Sequence, residues 1–168
     1  MNRVWRLIKH RLTDAADARR ALGDGGLDRL AARVRASEQR HSGEICISIE
    51  GGLPPSYVWQ GLGARDRAVA LFGKLRVWDT EANNGVLIYL LLAEHAIEIV
   101  ADRGVARHVP AGHWQSVLTH MQQAFRAGQF ETGLMRAVDE VEALLLQHYP
   151  LAEGERNPNE LPDVVDLR

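Results

Sequence analysis

The chain has 168 residues, 46% of them hydrophobic and 25% charged, values that suit one soluble domain able to bury a core. A formal net charge of −2 gives no reason to expect nucleic acid as a partner. A single cysteine, Cys46, excludes an internal disulfide, and its place in an apolar strand marks it as a buried, inert thiol.

Residues 1–22 carry Arg3, Arg6, Lys9 and Arg11, with Val4, Trp5, Ile8 and Leu12 along one helical face. That pattern predicts a basic N-terminal helix or arm, either packed on the domain or in peripheral contact with anionic lipid through residues 1–12. It has no continuous apolar core or small-residue cleavage site of a secretory signal, and no apolar run is long enough to cross a bilayer. A cytoplasmic location, either free or peripheral to the inner membrane, is therefore expected.

The domain proper is expected over residues 23–149. "GDGG" at 23–26 breaks the chain, and Leu27, Leu30, Ala31 and Val34 then recur at helical spacing up to His41-Ser42-Gly43. "EICISIE" at 44–50 sets Ile45, Ile47 and Ile49 against Cys46 and Ser48, the period of two that predicts a strand. "GGLPPS" is a loop, and a helix bearing Val58, Leu62, Val69, Phe72 and Leu75 follows, with Gly61 and Gly63 able to interrupt its first turns.

Val86 to Leu92 is apolar throughout, as a strand covered on both faces must be. Ala96 to Ala101 follows after three residues, a connection that permits only an antiparallel hairpin spanning residues 86–101. Two helices close the domain, one over Trp114, Val117, Leu118, Met121 and Phe125, the other from Phe130 to Leu145. Residues 150–168, rich in proline and charge, read as a mobile acidic tail. The order predicts a three-layer α/β/α sandwich around a small mixed β-sheet.

The hairpin brings Asn83, Asn84 and Gly85 beside Asp102, Arg103 and Gly104. A parallel first strand starting at the same end adds His41 and Ser42 as cleft-edge residues, and Asp79 and Glu81 lie just upstream. Carboxylates and carboxamides are hard oxygen ligands, so Asp79, Glu81, Asn83, Asn84 and Asp102 are candidates for holding Ca2+ or Mg2+. The same residues are also ordinary loop formers. No phosphate-cradling glycine loop, nucleophile elbow or HExxH motif occurs.

Four blocks resemble the TPM domain, a family named for a thylakoid-lumen protein, a photosystem II repair protein and an acetylcholine-receptor modulator. "HSGEICISIE" resembles its first strand, and "NNGVLIYLLL" its Asp-Asn-Gly-Val-Leu run. "IEIVADRG" stands at its glycine-rich strand end, and "FRAGQFETGLMRAVDEV" is similar to its C-terminal signature. The resemblance covers about residues 27–148 and implies the same α/β/α fold, with an acidic cleft at Asn83, Asn84, Asp102 and Arg103. It implies a protein of the soluble bacterial branch, acting either as a non-catalytic partner-binding module or as a weak divalent-metal-assisted acid phosphatase. In the second reading Asp102 and Arg103 are the catalytic candidates. The resemblance also implies a protein partner, a LemA-type membrane protein or a membrane-tethered TPM protein. Asn83 stands where the family has aspartate, which removes one negative ligand and weakens the expectation of calcium binding.

Overall fold

The computed structural model describes residues 2–110 and 112–168, except for the side chains of Ser116 and His120. Its centre is a four-stranded sheet in the order β3-β2-β1-β4. Strands β1 (Glu44–Glu50) and β2 (Gly85–Leu91) are parallel, and every residue in both is buried. Strand β3 (Ala96–Ala101) returns antiparallel to β2 after a 3-10 turn at Leu92–Glu94, so the mixed sheet and its single hairpin are as expected.

The period of two sorts β1 and β2 between two cores. Ile45, Ile47, Ile49, Val86, Ile88 and Leu90 face one core, filled by Leu30, Val34, Phe125, Leu134, Val138 and Leu145. Those residues come from α3 (Gly26–Glu38), α7 (His113–Arg126) and α8 (Phe130–His148). Cys46, Leu87, Tyr89 and Leu91 face the other core, under Val58 of α4 (Pro55–Gln60) and Ala64, Ala68 and Leu71 of α5 (Ala64–Lys74). Burial raises the Cys46 thiol to about 12, which keeps it an unreactive core group.

Three local features depart from the periodicity. The N-terminal helix is two helices, α1 (Arg3–Leu12) and α2 (Ala15–Leu22), because Asp14 and Asp17 form a capping box that starts a new helix. Gly61, at φ 77°, ends α4 in a left-handed cap, so a short helix precedes α5 where an interrupted one was expected. A four-residue helix, α6 (Arg103–Ala106), follows β3, with Asp102 as its cap.

The expectation of a mobile tail needs correction. Residues 150–168 fold back along β1, and Asp166–Leu167 form β4, parallel to it. Arg168 N–H donates to Ile49 O at 2.9 Å and Gly51 N–H to Arg168 O at 3.0 Å. Glu44 accepts from the N–H groups of Glu160 and Leu161, and Leu161 is buried. A composition poor in apolar residues hid a segment held mainly by backbone pairing, which composition does not encode.

Candidate functional site

The polar edge predicted from the hairpin exists in the backbone register. Val86 pairs with Ala101, and the next step is a bond from Asp102 N–H to Gly85 O at 2.9 Å. Asn84 lies one residue outside this pair. Its N–H donates to Thr80 Oγ1 at 3.0 Å, its Nδ2 donates to Ser42 O at 2.9 Å, and its carbonyl accepts from Glu44 N–H. The residue is therefore the joint between the loop 80–83, the start of β1 and the start of β2.

Asp102 Oδ1 accepts from Arg103 N–H at 2.7 Å. Asn84 Oδ1 and Asp102 Oδ2 are both buried without a hydrogen-bond partner. An unmatched buried oxygen costs about 1–3 kcal/mol, so two of them on neighbouring strand ends ask for an explanation.

The end of α8 joins this edge. Ser42 N–H donates to Tyr149 O at 2.9 Å, and Pro150 bridges to His41. A Cβ on Gly104 would meet Asn83 O at 2.4 Å, Ala82 O at 2.7 Å and Tyr149 Oη at 2.8 Å. The loop 82–83 and the Tyr149 hydroxyl therefore pack directly on the α6 backbone, where only glycine fits. Burial raises the Tyr149 phenol, Arg107 opposes the rise and Asp102 adds to it. His108 stacks on His148 with ring centroids 4.2 Å apart, beside the Tyr149 ring. Tyr149, Arg107, His108 and His148 are absent from the sequence-derived set. Arg107 and His108 directly follow α6, whereas His148 and Tyr149 lie far along the chain and only the return of α8 to this edge brings them in.

The side chains of the other candidates are bonded elsewhere or turned to the surface. Asp79 pairs with Arg76 on the surface. Glu81 is exposed, and its N–H donates to the Glu160 carboxylate. Asn83 has a left-handed backbone at φ 52° and an exposed side chain, a turn position. Arg103 is exposed at the first turn of α6. His41 is fully buried, with Nδ1–H donating to Gly43 O at 3.1 Å and Nε2 accepting from Ser37 Oγ at 2.8 Å. Burial keeps its imidazole below the ordinary range, so it is a neutral clamp between α3 and β1. Ser42 contributes through its backbone.

Among the described residues no three His, Cys, Asp or Glu side chains converge as a metal cage.

A three-layer α/β/α domain with a closed polar joint at one sheet edge is thus the class that fold and site define. The chain matches the TPM domain family over residues 16–144, and it belongs to that family. The solution structure of BA42 protein from the psychrophilic bacterium Bizionia argentinensis is similar to it, with 25% identity and a TM-score of 0.71. That match covers 84% of this chain and 91% of BA42. The N-terminal domain of a protein from P. gingivalis shares the fold at 22% identity, with a TM-score of 0.60 over 78% of this chain and 82% of that domain. No curated protein matches the chain.

Proposed function

We propose that this TPM domain is a non-catalytic accessory module that works at a membrane, resting on anionic lipid through α1. The observation that supports this reading is the orientation of α1. Val4, Trp5, Ile8 and Leu12 are 58%, 62%, 42% and 75% exposed, an apolar stripe turned away from the domain. The opposite side of the helix is fastened down. Arg6 Nε donates to Glu94 Oε1 at 2.7 Å, and His10 Nε2 meets the same oxygen at 2.9 Å. His10 Nδ1 accepts from Leu53 N–H at 3.0 Å. Burial works against ionisation of Glu94, yet Arg6 and His10 hold its carboxyl below the ordinary range.

At 3.6 residues per turn, Lys9 and Arg11 border the stripe on its two sides. A rigidly mounted helix with an outward apolar face between cations fits the acyl–headgroup boundary of an anionic leaflet. Each cation near such a surface contributes about 1 kcal/mol. No described helix is long and apolar enough to cross a membrane. The protein partner that the resemblance implies, LemA-type or membrane-tethered, would meet the domain at this surface.

Vesicle sedimentation tests the reading. Vesicles mixing phosphatidylglycerol with phosphatidylcholine should bind the protein, with a blue shift of tryptophan emission, and added salt should weaken the binding. Pure phosphatidylcholine should bind it poorly. Trp5→Glu with Leu12→Glu should lower partitioning by about tenfold or more while leaving the unfolding midpoint unchanged, since both residues are exposed. Equal partitioning of that variant and the parent sinks the proposal.

A second reading rests on Asn84 Oδ1 and Asp102 Oδ2. A magnesium ion there would polarise a phosphoryl oxygen, and Arg103 would offset the developing charge. Magnesium-dependent hydrolysis of a generic phosphomonoester should fall about a hundredfold or more in Asp102→Ala. Unchanged turnover in that variant rules this reading out and identifies a contaminant.

A further inference from the structure

A cavity of about 410 Å³ opens between the end of α3 and the returning C-terminal segment. Arg35, Glu38, Asn157, Asn159, Arg156 and Asp163 line it. Its walls are fixed. Asn157 Nδ2 donates to His41 O at 2.9 Å and Gly43 O at 3.1 Å, and Glu44 holds the N–H groups of Glu160 and Leu161.

Glu38 is the anomaly. Only 5% of it is exposed, its Oε1 accepts from Ile45 N–H at 2.9 Å, and its buried Oε2 has no N–H or hydroxyl donor, the carboxyl otherwise meeting that of Asp163. A carboxyl group in this position is costly unless something fills its remaining bonding capacity. Asp163 and Glu44 add negative charge around it, while Arg35 and Arg156 sit exposed on the cavity lining. Without three converging carboxylate or imidazole groups among the described residues, these donors suit no bare divalent ion. They suit a ligand that brings an ammonium to the acids and an anionic group to the arginines.

We propose that the cavity binds a small zwitterion with the chemistry of a free amino acid, its ammonium held between Glu38 and Asp163 and its carboxylate met by Arg35 and Arg156. Burial favours the protonated form of Glu38. Burial first, then Glu44 and Asp163, raise its carboxyl to about 9. An ammonium delivered to Oε2 stabilises the carboxylate, so binding near neutrality expels one proton to solvent. Affinity then rises by up to about tenfold per pH unit between pH 6 and 8. The charged and titratable groups facing Glu38 are Arg35 on its own helix, Glu44 and Cys46 on β1, and Glu155, Arg156 and Asp163 on the C-terminal segment.

Lysine titrated at pH 7 into the isotope-labelled full chain is the test. The Ile45 amide donates to Glu38, so its resonance reports the charge on that carboxyl. A saturable displacement of the Ile45 resonance is expected, with a calorimetric heat that varies with the ionisation enthalpy of the buffer. Glu38→Gln should abolish the proton release and weaken binding by about tenfold or more. Arg35→Ala with Arg156→Ala should weaken lysine and spare ethylammonium. The proposal is overturned by an Ile45 resonance that lysine does not move, by unchanged affinity in Glu38→Gln, or by calcium alone producing the saturable shift. Should Glu38→Gln fail to fold, proton release by the parent chain decides the matter unaided.

Discussion

Arg67→Ala should lower the free energy of unfolding by about 3–5 kcal/mol, read as a shift of the urea midpoint at constant slope. Arg67 projects from α5 into a buried polar joint at the end of β1. Its Nε and Nη2 donate to Glu50 at 2.9 Å and 2.6 Å, and Tyr89 Oη donates to Glu50 Oε2 at 2.7 Å. Glu50 is 4% exposed and Tyr89 fully buried, so water cannot replace a missing partner. The truncation strands an anion in the second core, whereas an exposed ion pair would cost under about 1 kcal/mol. Two controls separate charge from packing. Adding Glu50→Gln to Arg67→Ala should recover part of the loss, because the neutral amide still accepts from Tyr89. Tyr89→Phe alone should cost only about 1–2 kcal/mol. A loss for Arg67→Ala of less than about 1 kcal/mol would place this pair with ordinary surface contacts.

That joint shows what patterning conveys and what it omits. The alternation in "EICISIE" and the unbroken run "GVLIYLLL" placed both strands and the hairpin, because side-chain period follows from strand geometry. The same alternation puts Glu50 with Cys46 and Ser48 on the second face. Nothing in spacing announces that Arg67, seventeen residues on, will meet it. Register carried over well to the polar edge. Asn84 lies one residue outside the Gly85–Asp102 pair because a three-residue connection leaves antiparallel pairing no freedom. Closeness along the chain groups Asp79 and Glu81 with them, yet Asp79 turns to Arg76 and Glu81 stays exposed. No spacing signals Tyr149, whose place depends on the length and direction of α8. The C-terminal segment was hidden for a similar reason. Backbone bonds to Ile49 and Gly51 and the Glu44 carboxylate hold it, and hydrophobic content registers none of these.

Glu38→Gln should stabilise the protein by an amount that grows with pH. The sign follows from the proton count. The Glu38 carboxyl sits at about 9 when folded against an ordinary value of 4.5, so the folded chain keeps a proton that the unfolded chain releases. Its contribution is complete below about pH 4.5 and is lost as pH rises toward 9. The gap between variant and parent should therefore widen by up to ~1.4 kcal/mol per pH unit, or roughly 4 kcal/mol between pH 5 and pH 8. Glutamine keeps the bond to Ile45 N–H and carries no charge to bury, so the comparison isolates ionisation. Urea titrations of both chains across that range would show it, and parallel stability curves would refute it. Such a burden is large for a domain whose total stability is of order 5–15 kcal/mol. A filled cavity changes the balance: with an ammonium beside Oε2 the folded carboxyl no longer needs its proton. Saturating lysine should then flatten the parent's pH dependence and leave that of Glu38→Gln untouched.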